Sequence, residues 1–582
     1  MGRMLGIGFR FLCPILFCVV SWIATADELK SADLIVVNAR IYTVNEKQPW
    51  AEAMAVRGGK ILAVGSTTAI TALAGPATHT IDAQHRLVLP GFEDCHVHFM
   101  DGSLSLQRVN LEDAKNLADV QSMIKQFAAA HPSDVWVLGR GWSYAHFPNT
   151  GGLPTKEMLD AVVPDRPAFI EGYDGHTFWA NSKALAIASI DRNTPNPPNG
   201  IIVRDAKGEP TGALKEDAGD LVANKVPPPT REQRLSALAQ GIRHANQLGL
   251  TRVHSAGQDL EYLDLYSELR KRGDLTLRFY VAYFLDPPEL TPEIMQIIDN
   301  ARRTYDDDWI SGGVVKTMLD GVVESHTAAM FTPYSDDPST SGALFWNPEK
   351  YKAAVLELDR RGYQVFTHAI GDRAVHLALD TYAEAERTNK TTGARDRVEH
   401  IETITAADIP RFGKERVIAS FQPLHAYPDD DTLKVWAVNA GPDRASRAWV
   451  WKSISSTGGV LAFGSDWPVV TINPWFGLQN AVTRETVDRT PAGGWLPEQR
   501  ISLAAAIRAY TLDAAYAGHR EKAEGSIEPG KLADFIIVSQ DLFKVDPHQL
   551  RDTKVLMTVV GGKPVYESNE FRAQTAATEV HQ

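Results

Sequence analysis

The stretch "LPGFEDCHVHFMDG", Leu89 to Gly102, ends an apolar run with two histidines one residue apart, His96 and His98. In an extended chain side chains i and i+2 share a face, so both imidazoles point into the same volume. Alone the pair decides little, since a strand that ends at the surface can carry two histidines without chemical purpose. The question is whether other apolar runs in the chain end the same way.

They do. After about Leu87, short apolar runs alternate with helical periodicity: "VWVLGRG", "LTRVHSA", "LRFYVAYF", "GGVVKTMLDG", "YQVFTHAIGD", "RVEHIE", "RVIASFQP" and "GVLAFGSDWP". Between them lie amphipathic stretches such as "LSALAQGIRHANQLG" and "DRAVHLALDTYAEAER". Repeated strand and helix predict a parallel α/β architecture, and a (β/α)8 TIM-like barrel over residues 87–520 is the natural size match. In such a barrel the chemistry sits at the C-terminal ends of the strands. Those ends carry His96, His98, Lys316, His368, His400 and Asp466. Singly, His368 or His400 reads as a satisfied strand-end histidine; the set around one axis reads as a metal centre. Imidazole with carboxylate suits zinc, with manganese or iron as weaker options.

The flanks have a different pattern. Residues 27–86 form short strands with a Gly58-Gly59 hairpin turn, and residues 521–582 return to that style in "KLADFIIVSQD" and "KVLMTVVGGKPVYE". The two ends are expected to pair into one small β-sandwich. Residues 1–26 read as a signal peptide: Arg3 and Arg10, an apolar core from Phe11 to Ile23, then Ala24-Thr25-Ala26. That core is short for a bilayer span, and nothing like a lipobox precedes Cys13 or Cys18. Cleavage would leave Cys95 as the single cysteine, so no internal disulfide is expected in a secreted or periplasmic chain. The net charge of −13 argues against a nucleic-acid partner, which would need a basic stripe.

At this level of detail the chain resembles the amidohydrolase superfamily, in particular its N-substituted formamide deformylase-like branch. The resemblance covers essentially the whole mature chain, through "VLPGFEDCHVHF", "DGHTFWANSKAL", "VKTMLDG", "HAIGDRA", "VEHIE", "FGSDWPV" and "GSIEPGKLADFIIV". It implies that His96 and His98 hold one metal with Asp466, that His368 and His400 hold a second, and that Lys316, as N6-carboxylysine, bridges them. Glu93 departs from the family pattern, which has an apolar residue there. An uncarboxylated Lys316 would repel a cation, and the site would then be mononuclear.

Zinc lowers the pKa of bound water from about 15.7 to roughly 7, so the expected nucleophile is a metal-activated hydroxide. Asp466 would take its proton and deliver it to the leaving nitrogen. His176, in "DGHTFWANSKAL", is either a donor to the developing oxyanion or a structural histidine at the start of the next helix. Gln422 and His425 are expected to touch substrate, and Trp142, Tyr144 and Trp467 to wall an apolar pocket or simply pack. Cys95 is turned from the ligand face by alternation. "GSIEPGKL" has phosphate-loop spacing, but a strand follows where a helix is needed, and "SMIK" lacks the accompanying β-lactamase motifs. The expectation is a hydrolase of a non-peptide carbon–nitrogen bond, N-acyl or N-formyl, acting on a small amide-like molecule, with no membrane span after signal cleavage and a homodimer left open. The rivals are a lactone or ester hydrolase on the same fold and a non-catalytic metal- or ligand-binding protein.

Overall fold

The computed structural model describes residues 31–111, 114–172, 177–197, 200–258, 260–285 and 289–579. Eight parallel strands form one sheet: β1 (Phe92–Val97), β2 (Leu250–Gln258), β3 (Arg278–Phe284), β4 (Ile310–Met318), β5 (Gln364–Ala369), β6 (Arg397–His400), β7 (Ile418–Phe421) and β8 (Leu461–Phe463). Each pairs with the next in chain order. The ring closes between last and first: Val97 bridges Trp467 in parallel, Asp466 N–H donates to the His96 carbonyl at 2.6 Å, and His98 N–H donates to the Trp467 carbonyl at 2.8 Å. The strands read as continuous apolar runs because both faces are covered. All six residues of β1 and all six of β5 are buried.

The helices between strands carry their own start signals. Arg231–Gln247, which leads into β2, opens with a capping box between Thr230 and Gln233. Pro348–Arg360, before β5, is capped by the Asn347 side chain with proline at its first turn. Pro474–Thr483, after β8, is capped by Asn473.

Two four- and six-stranded sheets sit apart from the barrel. The first holds Leu34–Val37, Ala53–Arg57, Lys60–Gly65 and His79–Asp82; the second joins Arg40–Tyr42, Trp50–Ala51 and Leu87–Pro90 to Phe535–Val538, Val555–Val560 and Lys563–Glu567. Their inner faces share one apolar cluster, including Val36, Met54, Val56, Val88, Phe535, Ile537 and Val559. The two ends of the chain thus build one sandwich. Buried ion pairs lock it beneath the barrel: Arg252 on Glu524 at 2.6 Å and Arg278 on Asp534 at 2.6 Å.

One expected run is placed elsewhere. "VWVLGRG" is not a barrel strand: Val137–Trp142 lies in a separate six-stranded sheet built within the excursion between β1 and β2. Its residues alternate in burial, as in a sheet covered on one face, and Gly139 lies so close to its neighbour that an added Cβ would sit 2.3 Å from Val109 Cγ1. Apolar content alone does not choose between these partners.

Candidate metal centre

β1 delivers His96, the residue just past its end is His98, β4 delivers Lys316, β5 His368, β6 His400, and the turn after β8 Asp466. Strand alternation cannot do all of this alone. His400 has φ of 76° and Asp466 of 64°, both left-handed, which bends each backbone at its strand end and turns the side chain inward. Non-glycine residues rarely adopt this region without a constraint, and such strain gathers at functional sites.

Asp466 is the hub. Its Oδ1 lies 3.4 Å from His96 Nε2 and 3.2 Å from His98 Nε2; its Oδ2 lies 3.7 Å from His425 Nε2 and 4.0 Å from His400 Nδ1. Two sets of donors have their atoms within 4.8 Å of one another: His96, His98 and Asp466, and His400, His425 and Asp466. Asp466 Oδ1, His400 Nδ1 and His425 Nε2 are buried without a hydrogen-bond partner. Buried polar atoms without partners are costly. Lone pairs from imidazole and carboxylate converging in this way fit a divalent ion.

The electrostatics agree. Burial first, then the Lys316 charge, hold His96 down to about 4 and His368 down to about 3. Burial holds His400 well below its ordinary value. These imidazoles are therefore neutral at pH 7, the state a metal requires. Burial pushes the Asp466 carboxyl up, but His96, His98, His400 and His425 hold it well below the carboxylate range, so it stays ionised. Burial lowers Lys316, whose Nζ lies 3.4 Å from His96 Nε2.

His368 stands against His400 with ring centroids 4.4 Å apart, and its Nε2 faces the Gly321 carbonyl at 3.3 Å, which leaves Nδ1 as its free lone pair. It belongs to neither donor set; His425 occupies that place beside His400, its ring parallel to that of His400. Gln422 is fully buried with neither amide atom paired.

The aromatic expectations divide. Trp142 is not brought to the centre: it is fully buried in the core of the excursion with Phe147 and Trp179, its indole donating to the Ile170 carbonyl at 3.1 Å. Trp467 packs on helix Phe99–Ser105, where an added Cβ at Gly102 would lie 2.2 Å from its ring. Cys95 is buried with Ile418, Ala462 and Ala514, away from the histidines. "SMIK" lies on helix Leu117–Ala130, and "GSIEPGKL" precedes the strand Phe535–Val538. His176 and residues 1–26 lie outside the described residues.

Sequence reasoning missed Glu399 and Asp94. Glu399 Oε2 accepts from His96 Nδ1 at 2.7 Å, and Asp94 Oδ1 accepts from the backbone N–H of His96 and of Ser465, pinning β1 to the turn after β8.

A closed parallel barrel with convergent histidines and a carboxylate at its strand ends is the architecture of a metal-dependent hydrolase. A solved metal-dependent hydrolase from Pyrococcus furiosus superposes with a TM-score of 0.71 at 25% identity, over 88% of this chain and all of that one. The chain belongs to the amidohydrolase family, whose sequence pattern matches residues 79–566. It is 33% identical over 546 residues to Protein LONG AFTER FAR-RED 3 of Arabidopsis thaliana, covering 92% of each chain. It is 26% identical over 550 residues to N-substituted formamide deformylase of Arthrobacter pascens, covering 92% of this chain and 98% of that one. Among the described residues no helix is long and apolar enough to cross a membrane.

Proposed function

We propose that this hydrolase cleaves an amide-type carbon–nitrogen bond other than a peptide bond, of the N-formyl or N-acyl kind, with zinc as its ion. The observation that carries the reading is the single carboxylate of Asp466, ionised and with one buried oxygen unpaired, shared between the two donor sets. The similarity to a formamide deformylase supports the choice of bond.

His96, His98 and Asp466 would hold one ion, and His400 with His425 or His368 a second, supplying acidified water and a Lewis acid for the carbonyl. Asp466 accepts a proton on its carboxylate and holds it beside the substrate for return to the leaving nitrogen. An amine is a poor leaving group unless protonated, so a returning proton matters more for amides than for esters. Lys316, if carboxylated, would add a further carboxylate to hold the ions; its burial favours the neutral amine, the form that reacts with carbon dioxide. Gln422 offers a buried amide for the substrate. We further propose export through residues 1–26, with action outside the cytoplasm on a small amide-like molecule.

The test is a panel of formamides, N-acyl amines, lactones and esters presented to zinc-loaded protein. A formamide or N-acyl amine should be turned over faster than its ester analogue, with loss of activity on chelation and recovery on adding zinc. Turnover of esters or lactones with none of the amides overturns the reading.

A further inference from the structure

The interior of the barrel beneath the metal centre holds an ionic chain that the reaction does not use. Arg397 and Glu399 alternate on β6, so both face inward, and both are fully buried. Arg397 Nε donates to Glu399 Oε1 at 2.8 Å, its Nη1 to His254 Nδ1 at 3.0 Å, and its Nη2 to the Cys95 carbonyl at 2.5 Å and Ser420 Oγ at 3.2 Å. The guanidinium also lies 3.7 Å from the Phe366 ring centroid. It is thus fixed from β1, β2, β5 and β7. Glu399 spends its other oxygen on His96 Nδ1 at 2.7 Å.

A buried ion pair is weak support for a fold, because apolar residues of similar volume do as well or better. What this pair does achieve is orientation. With Arg397 beside it Glu399 is an acceptor only, so the proton of His96 must sit on Nδ1. The lone pair is then on Nε2, which faces Asp466 Oδ1. We propose that Glu399, anchored by Arg397, is the positioning residue that fixes His96 with Nε2 toward the metal and thereby sets how tightly the centre holds its ion. A carboxylate behind a ligating histidine fixes tautomer and ring angle and raises ligand basicity.

The inference rests on His96 being a ligand, and the experiment separates the two. Zinc affinity is measured on the full chain by chelator competition, for the wild type, Glu399→Gln and Glu399→Asp. Glu399→Gln removes the charge; Glu399→Asp keeps a charge for Arg397 but is one methylene too short to reach His96 as well. Both should weaken zinc by about 10–100-fold, with a changed visible spectrum in the cobalt-loaded protein, a signature that mere loss of stability does not produce. A folded variant of either kind with wild-type affinity and spectrum overturns the proposal. A crystal structure of the zinc-loaded wild type needs no variant: zinc on His96 Nε2 with Nδ1 on Glu399 supports it, and zinc on Nδ1, or on Glu399 itself, overturns it. A wild type that binds no zinc sinks the ligand assignment, and this inference with it.

Discussion

Replacing Asp466 by asparagine separates proton transfer from architecture. The position has φ of 64°, and asparagine tolerates the left-handed region better than most residues. The backbone bond that closes the barrel, Asp466 N–H to the His96 carbonyl, does not involve the side chain. The fold should therefore survive. What is lost is an ionised carboxylate whose two oxygens lie 3.2–3.7 Å from His96, His98 and His425. A general base contributes about 10² to 10⁴ in rate, or about 2.7–5.4 kcal/mol of barrel-site barrier at 1.36 kcal/mol per decade. The assay is kcat at saturating zinc on the amide found in the substrate panel, with metal content and circular dichroism from the same preparation. We expect native dichroism, reduced metal in whichever set depends most on the carboxylate, and a kcat at least about a hundredfold lower. A metal-loaded Asp466→Asn that keeps more than about a tenth of wild-type kcat lies outside what loss of a general base allows, and would refute the proton role.

Two further substitutions probe support around the centre. Gly464→Ala puts a Cβ 2.5 Å from the His96 backbone nitrogen and 2.8 Å from Asp94 Oδ1, so β8 must move off β1; overpacking of this kind costs about 1–3 kcal/mol, and both thermal melting and zinc content should fall. His548 lies 2.5 Å from Glu485 and 2.8 Å from Asp546; burial pushes it down, but those two carboxylates carry it above its ordinary value. Its contribution, about 1 kcal/mol for a pair that solvent still reaches on the His548 side, is fully present below about pH 6.5 and lost as pH rises through the raised value. The wild type should thus lose slightly more stability than His548→Gln between pH 6 and pH 9 in denaturant titrations, and equal losses would show the pair to be idle.

The barrel and most of its strand-end residues were legible because parallel strands covered on both faces leave long apolar runs, and β1, β4, β5 and β6 each carry a polar side chain at the end. Two kinds of residue were not. Glu399 and His400 are neighbours, and alternation sends neighbours to opposite faces; only the left-handed turn at His400 brings both inward, and no residue type announces it. Trp142 was misplaced for a different reason, since its run has the composition of a barrel strand and its partner, Ala168–Gly172, is set by tertiary pairing. His425 was legible as a site residue but not as a neighbour of Asp466, because the single-turn helix that carries it, Pro423–Ala426, has no periodicity to read.

The peptide groups that join the first strand to the last belong to His96, His98, Asp466 and Trp467. The seam of the barrel and the metal centre are one place. A growing chain exposes the open edge of β1 until the final strand is made, so no shorter product can be active and the unsealed ring is the species most prone to stray pairing. An ion gripped from both sides of that seam acts as a clasp. Metal binding and ring closure would then be linked, each making the other more favourable, and withdrawing the divalent ion would compromise the shape of the enzyme along with its chemistry.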